Sequence, residues 1–296
     1  MDLKVLTYDE TQLHNTAVAL GKFQGLHRGH LLLINKISQL AKKDGLTSVV
    51  FTININNSKM INTKVDRENI LQELDVNYEI DCDFTPEFAA MSPYDFIKDV
   101  LIGKLGAKYV VVGKDFCFGC KRQGNVDFLK NYQSEFGYEV IDYDKLSING
   151  NEISSSAIRQ FIQEGNLDEI ADYMGRNYFI QGKVMRGKQL GRTIDFPTIN
   201  QIPPKDKLLP PFGAYETKVN LYGKNYKAIT NIGDNPTISD NNQITVETHI
   251  IDYDGDLYGE DIKVEFIRYI REQKRFKDVS ELRQQLLHDK ASVMHQ

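Results

Sequence analysis

The fold of the first half of this chain is decided by the stretch Ala19-Leu20-Gly21-Lys22-Phe23-Gln24-Gly25-Leu26-His27-Arg28-Gly29-His30. A small, apolar, β-compatible run precedes the glycines, and apolar residues at helical spacing follow them, so the glycines lie at a strand-to-helix turn. Glycine lets a backbone approach a ligand closely, and the amide groups at the start of a helix attract anions. The stretch therefore predicts a phosphate-handling turn.

Two histidines in this turn are candidate catalytic groups. His27 and His30 are three residues apart, so near a helix N-terminus both imidazoles can face one ligand. When a nucleotide α-phosphate is attacked, N–H donors fixed in advance stabilise the negative charge on its oxygens. The alternative is that both side chains only cap and pack the turn. The glycines, strand and helix around them favour the phosphate interpretation.

Composition sets the outer limits of function. The chain has 296 residues, and 36 basic against 41 acidic side chains give a net charge of −5, which argues against nucleic-acid binding as the main function. We find no apolar run of membrane-spanning length and no signal-peptide pattern. We expect a cytoplasmic protein of two domains that binds small molecules and needs no obligate protein partner.

Residues 1–176 alternate short β-like runs with helical patterns. The strands are predicted at 16–20, 46–52, 78–82, 108–112 and 138–143. This alternation predicts an α/β domain with a parallel sheet, in which ligands bind beyond the carboxyl ends of the strands.

The second half, residues 177–296, is β-rich with short turns. The strands are predicted at 178–185, 214–221, 226–231, 244–251 and 262–270. Such a series predicts a small antiparallel barrel. A last helix is predicted to begin near Asp278, which has capping-box spacing to Glu281, and to pack on the barrel.

A serine cluster precedes a predicted helix at Ile153-Ser154-Ser155-Ser156-Ala157-Ile158-Arg159. One serine is enough to cap a helix. Hydroxyl groups, helix amides and the Arg159 guanidinium together make a cradle for a β,γ-phosphate group.

A loop after the strand at 108–112 holds a candidate pocket for a planar ring. Asp115 is read as a hydrogen-bond acceptor, and Phe116 or Phe118 as an apolar wall. The alternative for each phenylalanine is that it belongs to the ordinary core.

A second phosphate motif is Pro197-Thr198-Ile199-Asn200, which follows a turn rich in glycine and basic residues. Thr198 and Asn200 are two residues apart, so on an extended segment both side chains point the same way and can present oxygens to a magnesium ion.

At these motifs the chain resembles the bacterial bifunctional riboflavin kinase/FAD synthetase family, and the resemblance runs through nearly the whole sequence. It implies an FMN adenylyltransferase domain at residues 1–176 and a riboflavin kinase barrel at 177–296. In the first domain it implies catalysis by His27 and His30 and a flavin pocket at Asp115, Phe116 and Phe118. The implied ATP-binding residues there are Gly21, Phe23, Gly25, Ser155, Ser156 and Arg159.

For the barrel, the resemblance implies that Glu247 is the catalytic carboxylate and that Thr198 and Asn200 bind the magnesium ion of ATP. It implies ATP binding by Gly182, Gly187, Lys188 and Arg192, and flavin binding by Arg271 and Phe276. The expected reactions are phosphorylation of riboflavin to FMN and adenylylation of FMN to FAD, both with ATP.

The sequence departs from the family pattern at three places. Gln24 stands where an aspartate is usual, Asn54–Asn57 replaces a run containing proline and histidine, and Asp195 stands where glycine is usual. Two alternatives therefore stay open: an enzyme with a single active site, or a flavin-binding regulator without catalysis.

Overall fold

A computed structural model of the chain describes residues 2–54, 59–187, 191, 194–234 and 243–294. Packing divides the chain into two compact units, Met1–Ser155 and Ser156–Gln296. The predicted domain boundary after residue 176 stays a prediction. Within the described ranges, no helix combines the length and apolarity that crossing a membrane requires.

The first unit is built on a six-stranded sheet in which every pairing is parallel. The strand order is β1-β4-β3-β2-β5-β6. The strands are β1 Lys4–Thr7, β2 Thr16–Gly21, β3 Thr47–Asn54, β4 Tyr78–Asp83, β5 Ala107–Gly113 and β6 Glu139–Tyr143. The predicted parallel sheet is confirmed, with β1 as an additional edge strand.

Helices connect these strands and cover the sheet. They are α1 Arg28–Asp44, α2 Lys64–Glu73, α3 Pro86–Ala90, α4 Pro93–Asp95 with its π-helical continuation Phe96–Lys104, and α5 Val126–Phe136. A 3₁₀ turn at Cys120–Arg122 and a hairpin of β7 Ser147–Ile148 with β8 Asn151–Glu152 complete the unit. Consecutive residues of β2 are fully buried, as expected for a central strand covered on both faces.

The second unit holds α6 Ser155–Glu164, which begins at the last residue of the first unit, and α7 Leu167–Met174, followed by a six-stranded antiparallel sheet. The strand order is β10-β13-β12-β11-β14-β9. The strands are β9 Tyr178–Lys183, β10 Ile199–Gln201, β11 Gly213–Leu221, β12 Lys224–Asp234, β13 Ile244–Ile250 and β14 Asp261–Glu272.

The two edges of this sheet meet, which confirms the predicted barrel architecture. The Met185 amide just beyond β9 donates to the Asn200 carbonyl of β10 at 2.7 Å. The Gln201 side-chain amide of β10 donates to the carbonyl groups of Gly182 and Ile262 at 2.6 and 2.7 Å. The short strand β10 thus closes the curled sheet. It pairs with β13 at only three residues, and the Gln201 side chain adds the hydrogen bonds to the opposite edge.

The C-terminal helix α8, Val279–Met294, packs on the barrel as expected. The Asp278 carboxylate accepts from the Glu281 amide at 2.9 Å, as a cap should. Near the other end, Val293 is fully buried beside Ile229 and Ile251, and Lys227 donates to the Val293 carbonyl.

Candidate active sites

The glycine-rich loop leaves the carboxyl end of β2, where the strand order changes direction. β2 pairs with β3 on one side and with β5 on the other, so later connections run to opposite sides of the sheet. Such a switch point opens a crevice in which ligands of open α/β sheets bind. The structure therefore places the predicted phosphate-handling turn at the ligand-binding edge.

Two residues of this loop hold a left-handed backbone although neither is glycine. Phe23 has a φ of 43° and Leu26 a φ of 42°, and both side chains are fully buried. Such conformations cost free energy and persist where the surroundings fix them, commonly at functional sites. Burial of two large apolar side chains offsets this cost. The loop is therefore anchored at two points.

The glycines of the loop serve close packing rather than a left-handed backbone. A Cβ atom at Gly25 would lie 3.1 Å from the Ser155 hydroxyl oxygen, and one at Gly29 would lie 3.2 Å from the His27 ring. The Ser155 hydroxyl thus lies directly beside the loop.

The two histidines lie together at the start of α1. Their ring centroids are 3.7 Å apart and the ring planes differ by 17°. His27 is the N-cap, and its Nδ1 accepts from the His30 amide at 3.3 Å. Since Nδ1 accepts, the proton of a neutral His27 is on Nε2, which is then a hydrogen-bond donor. The capping interpretation is thus correct for His27. The capping hydrogen bond also fixes the orientation of the imidazole ring that is predicted to be catalytic.

Ser155 and Ser156 begin α6, and Arg159 lies one turn further on. Burial lowers the pKa of the Arg159 guanidinium, which stays charged at neutral pH. Ser155 belongs to the first unit, whereas Ser156 and Arg159 belong to the second. That these two residues face the histidines stays a prediction.

The two phenylalanines of the loop after β5 differ in burial. Phe118 lies in the core, 5.0 Å from Phe96 between ring centroids, which matches the ordinary-core alternative. Phe116 stacks on Phe118 at 5.7 Å and is half-buried. Asp115 is exposed and forms an ion pair with Lys145 at 3.4 Å. A flavin pocket at these residues stays a prediction, for which Phe116 is the better-placed wall.

In the barrel, strand register aligns the predicted kinase residues in one row. Asn200 of β10 is directly opposite Glu247 of β13, and Glu247 is directly opposite Asn231 of β12. The row continues through Ala214 of β11 to Arg271 of β14. Directly opposed residues share one face of a sheet, so this row brings four polar side chains to the same face.

A cavity of about 190 Å³ lies between this face and α8. Its barrel wall includes Thr198, Glu247 and Arg271, together with Asn231 and His249. Its opposite wall is formed by Phe276 and by the α8 residues Leu282, Leu286 and Asp289. The cavity combines apolar surface with a carboxylate, as a site for an amphipathic ligand should.

A second and larger cavity, about 390 Å³, adjoins the same segment. Three carboxylates line it, together with aliphatic and aromatic side chains: Asp195, Asp254, Asp256, Val184, Ile199, Ile250, Leu257, Tyr253 and Tyr258. Thr198 lines both cavities. A group held at Thr198 can therefore touch two ligands, one in each cavity.

The glycines near this site differ in what surrounds them. At Gly187 a Cβ atom would lie 2.6 Å from the Asn200 side chain, so any other residue there would have to displace that side chain. At Gly182, inside β9, a Cβ atom would come no nearer than 3.9 Å to another atom, the Ile202 carbonyl oxygen. The predicted ATP-binding residues Lys188 and Arg192 lie outside the described residues.

Arg271 is held at the cavity wall by a buried partner that the sequence did not reveal. Its guanidinium forms an ion pair with Asp289 of α8 at 2.7 Å, and Asp289 is fully buried. The Phe276 ring lies 5.9 Å from the guanidinium carbon. The structure thus brings the predicted pair Arg271 and Phe276 together and adds Asp289, which a helical position alone did not indicate.

Comparison with known proteins gives a family for both units. The chain matches the family model for FAD synthetase over residues 9–157 and the model for riboflavin kinase over residues 174–296. It is 32% identical to the bifunctional riboflavin kinase/FMN adenylyltransferase of Listeria monocytogenes, over 96% of this chain and 93% of the relative. The protein of that name from Escherichia coli K12 is also 32% identical, over 93% of this chain and 91% of the relative.

The chain belongs to the bifunctional riboflavin kinase/FMN adenylyltransferase family. A crystal structure described as a macrolide-efflux protein from Streptococcus pneumoniae has the same fold, with a TM-score of 0.86, 29% identity and complete coverage of both chains.

The structure explains one departure from the family pattern. Asp195 has a φ of 64°, in the left-handed region that glycine adopts without strain. Aspartate tolerates this region better than most residues. Asp195 also forms an exposed ion pair with Arg283 of α8 at 3.3 Å.

The other two departures lie at the edge of the parallel sheet. The Asn54 side chain donates to Asp81, which also forms ion pairs with Lys64 and Arg67. Asn54 therefore takes part in a polar cluster at the carboxyl ends of β3 and β4, while residues 55–57 lie outside the described ranges. The Gln24 carbonyl accepts from the Asn62 amide at 3.3 Å, which ties the glycine-rich loop to the segment before α2.

Proposed function

We propose that each unit of this chain carries one of the two transfers of its family, adenylyl transfer at the α1 loop and phosphoryl transfer at the barrel row. As a family member the chain is a transferase with riboflavin kinase and FMN adenylyltransferase activities, and its substrates are ATP, riboflavin and FMN. The observation that carries the kinase assignment is that Glu247 lies opposite Asn200, while Thr198 lines both cavities.

In the kinase reaction, riboflavin occupies the cavity under α8 and ATP the larger cavity. The Glu247 carboxylate accepts the proton of the primary ribityl hydroxyl as its oxygen attacks the γ-phosphorus, and ADP leaves. The carboxylate lies on the same face of the sheet as Asn200, so the base and a ligand of the magnesium ion of ATP are close to the same γ-phosphate. Arg271 and Phe276 bound the flavin end of the cavity.

The donor set suits a magnesium ion. Thr198 and Asn200 offer hydroxyl and amide oxygens, which are hard ligands of the kind that Mg²⁺ prefers. Within the described ranges no three histidine, cysteine, aspartate or glutamate side chains form a metal-binding group. Water and ATP phosphate oxygens would therefore complete the coordination. Bound Mg²⁺ would neutralise phosphate charge, and Gly187 leaves Asn200 the room it needs beside the ATP-binding turn.

In the adenylyl transfer, an FMN phosphate oxygen attacks the α-phosphorus of ATP and pyrophosphate leaves. His27 and His30 donate hydrogen bonds to the α-phosphate oxygens as their charge increases, and no covalent intermediate is required. Gly21, Phe23 and Gly25 shape the loop, and Ser155, Ser156 and Arg159 hold the departing phosphates. Asp115 and Phe116 contact the flavin. We place the enzyme in the cytoplasm, acting on small molecules without an obligate protein partner.

The test is a product assay. The purified chain is incubated with riboflavin or with FMN, each with Mg-ATP, and the flavins are separated by chromatography. We expect FMN and FAD from riboflavin, and FAD from FMN. Formation of only one product would select the single-site alternative, and tight flavin binding without any product would contradict catalysis.

A further inference from the structure

A buried histidine connects two strands of the barrel next to the proposed kinase residues. Nδ1 of His249 on β13 lies 2.9 Å from the Pro197 carbonyl oxygen, just before β10. Only 7% of His249 is exposed. The Phe196 ring packs against the imidazole at 5.0 Å between centroids. This side chain also lines the cavity under α8.

The surroundings of His249 decide which ring nitrogen carries the proton. A carbonyl oxygen only accepts, so Nδ1 must donate to Pro197. Burial lowers the pKa of His249, which favours the neutral ring with a single N–H. Nε2 is enclosed and makes no hydrogen bond within the described part of the chain, as suits a nitrogen without a proton.

The hydrogen bond between His249 and Pro197 lies just before the point where backbone pairing of β10 with β13 begins. The β10–β13 ladder begins at Ile199 opposite Thr248 and covers only three residues of β10. Thr198 precedes this ladder, and its neighbour Pro197 has no amide hydrogen with which to bind a strand. The carbonyl oxygen is the only backbone group of Pro197 that can form a hydrogen bond, and it is bonded to the His249 side chain.

We propose that His249 is a positioning residue of the kinase site, whose Nδ1–H fixes the Pro197 carbonyl and thereby sets the Thr198 hydroxyl between the two cavities. This inference rests on the proposed role of Thr198 in phosphoryl transfer.

Two isosteric variants separate the hydrogen bond from the bulk of the ring. The amide nitrogen of asparagine can take the place of Nδ1, whereas the amide nitrogen of glutamine can take the place of Nε2. His249→Asn should therefore keep the bond to Pro197, and His249→Gln should lose it. A neutral hydrogen bond corresponds to a change of about threefold to tenfold.

Two measurements on the full chain test the proposal. With His249→Gln we expect the Mg²⁺ concentration for half-maximal kinase rate to rise about threefold to tenfold, with rescue by His249→Asn. In the substrate-free protein, amide hydrogen exchange in the peptide around Thr198 should be faster with His249→Gln and slowed again with His249→Asn. Circular dichroism and the midpoint of urea unfolding report whether the barrel of each variant is folded.

The outcomes separate this proposal from the assignment of the site. If both variants behave alike, either both impaired or both unaffected, the Pro197 bond does not position Thr198 and the proposal is overturned. If Thr198→Ala leaves the kinase intact, the assignment of Thr198 itself fails. If Thr198→Ala abolishes the kinase while His249→Gln and His249→Asn have the same Mg²⁺ dependence, the assignment of Thr198 stands and only the positioning role of His249 is refuted.

Discussion

The α1 loop and the barrel row, the two proposed phosphate sites, are built in opposite ways. The loop depends on a strained backbone, with left-handed Phe23 and Leu26 held by complete burial and two stacked imidazoles at the helix start. The row depends on regular strand register, which carries Asn200, Glu247 and Arg271 across the sheet. The first arrangement is local in sequence, and the second assembles distant segments.

The two sites should therefore respond differently to substitution. In the loop a few neighbouring side chains fix the donors, so substitutions there act on geometry within one turn. In the row the backbone ladder already fixes each side chain, so removing one functional group leaves its neighbours in place. Substitutions of single groups should therefore affect one activity and leave the other intact.

The largest expected effect comes from the barrel row. Glu247→Gln keeps the shape of the side chain but removes the base, and we expect the kinase rate to fall by about 10²- to 10⁴-fold. FMN adenylylation should be unchanged. Steady-state rates of FMN and FAD formation measure both, with Glu260→Gln as a control at an exposed position. An equal loss of kinase activity in Glu260→Gln would contradict a specific role of Glu247.

The matching change in the loop is His30→Ala. Removing one preorganised donor from a developing oxyanion costs about 10²- to 10³-fold in rate, so FAD formation from FMN should fall by that factor while riboflavin phosphorylation persists. His14→Ala, at an exposed histidine of the same unit, is the control. A wild-type rate of FAD formation with His30→Ala would contradict the proposed role of the pair.

A pair of glycine substitutions sharpens the account of the barrel. Gly187→Ala would force a Cβ atom against the Asn200 side chain, whereas Gly182→Ala would meet open space. Overpacking costs about 1–3 kcal/mol, so we expect Gly187→Ala to lower the kinase kcat/KM by about tenfold. Wild-type kinetics for Gly187→Ala would show that the position of Asn200 does not matter.

The smallest effect concerns strain in the barrel unit. Asp195→Gly should relieve the left-handed backbone at that position, which costs roughly 1 kcal/mol for a residue with a Cβ atom. It also loses an exposed ion pair with Arg283, which is worth little. Urea unfolding should show a stability gain of up to about 1 kcal/mol, and a clear loss would contradict the strain.

Local patterns allowed the fold to be predicted closely. The predicted strands at 16–20 and 214–221 match β2 Thr16–Gly21 and β11 Gly213–Leu221, because each pairs a hydrophobic pattern with turn residues at its ends. The edge strand β1 Lys4–Thr7 has four residues and no bounding pattern of its own, so it was missed.

In the candidate sites, the proximity of side chains was predictable where the residues are neighbours in sequence. His27 and His30 lie on one helical turn, and their stacking follows from that spacing. Asn231 opposite Glu247, the clamp of Asp289 on Arg271 and the contact of His249 with Pro197 depend on pairings between distant segments. No local pattern encodes such a register. The backbone strain at Phe23 and Leu26 was not predicted for another reason. The nearby glycines suggested that any positive φ angles in the loop would fall on glycine.

The most direct test of two independent sites is one assay on two variants. His27→Ala combined with His30→Ala should convert riboflavin to FMN and form no FAD. Glu247→Ala should form FAD when given FMN and no FMN when given riboflavin. If either variant, shown to be folded by circular dichroism, lost both activities or kept both, the assignment of one transfer to each unit would be wrong.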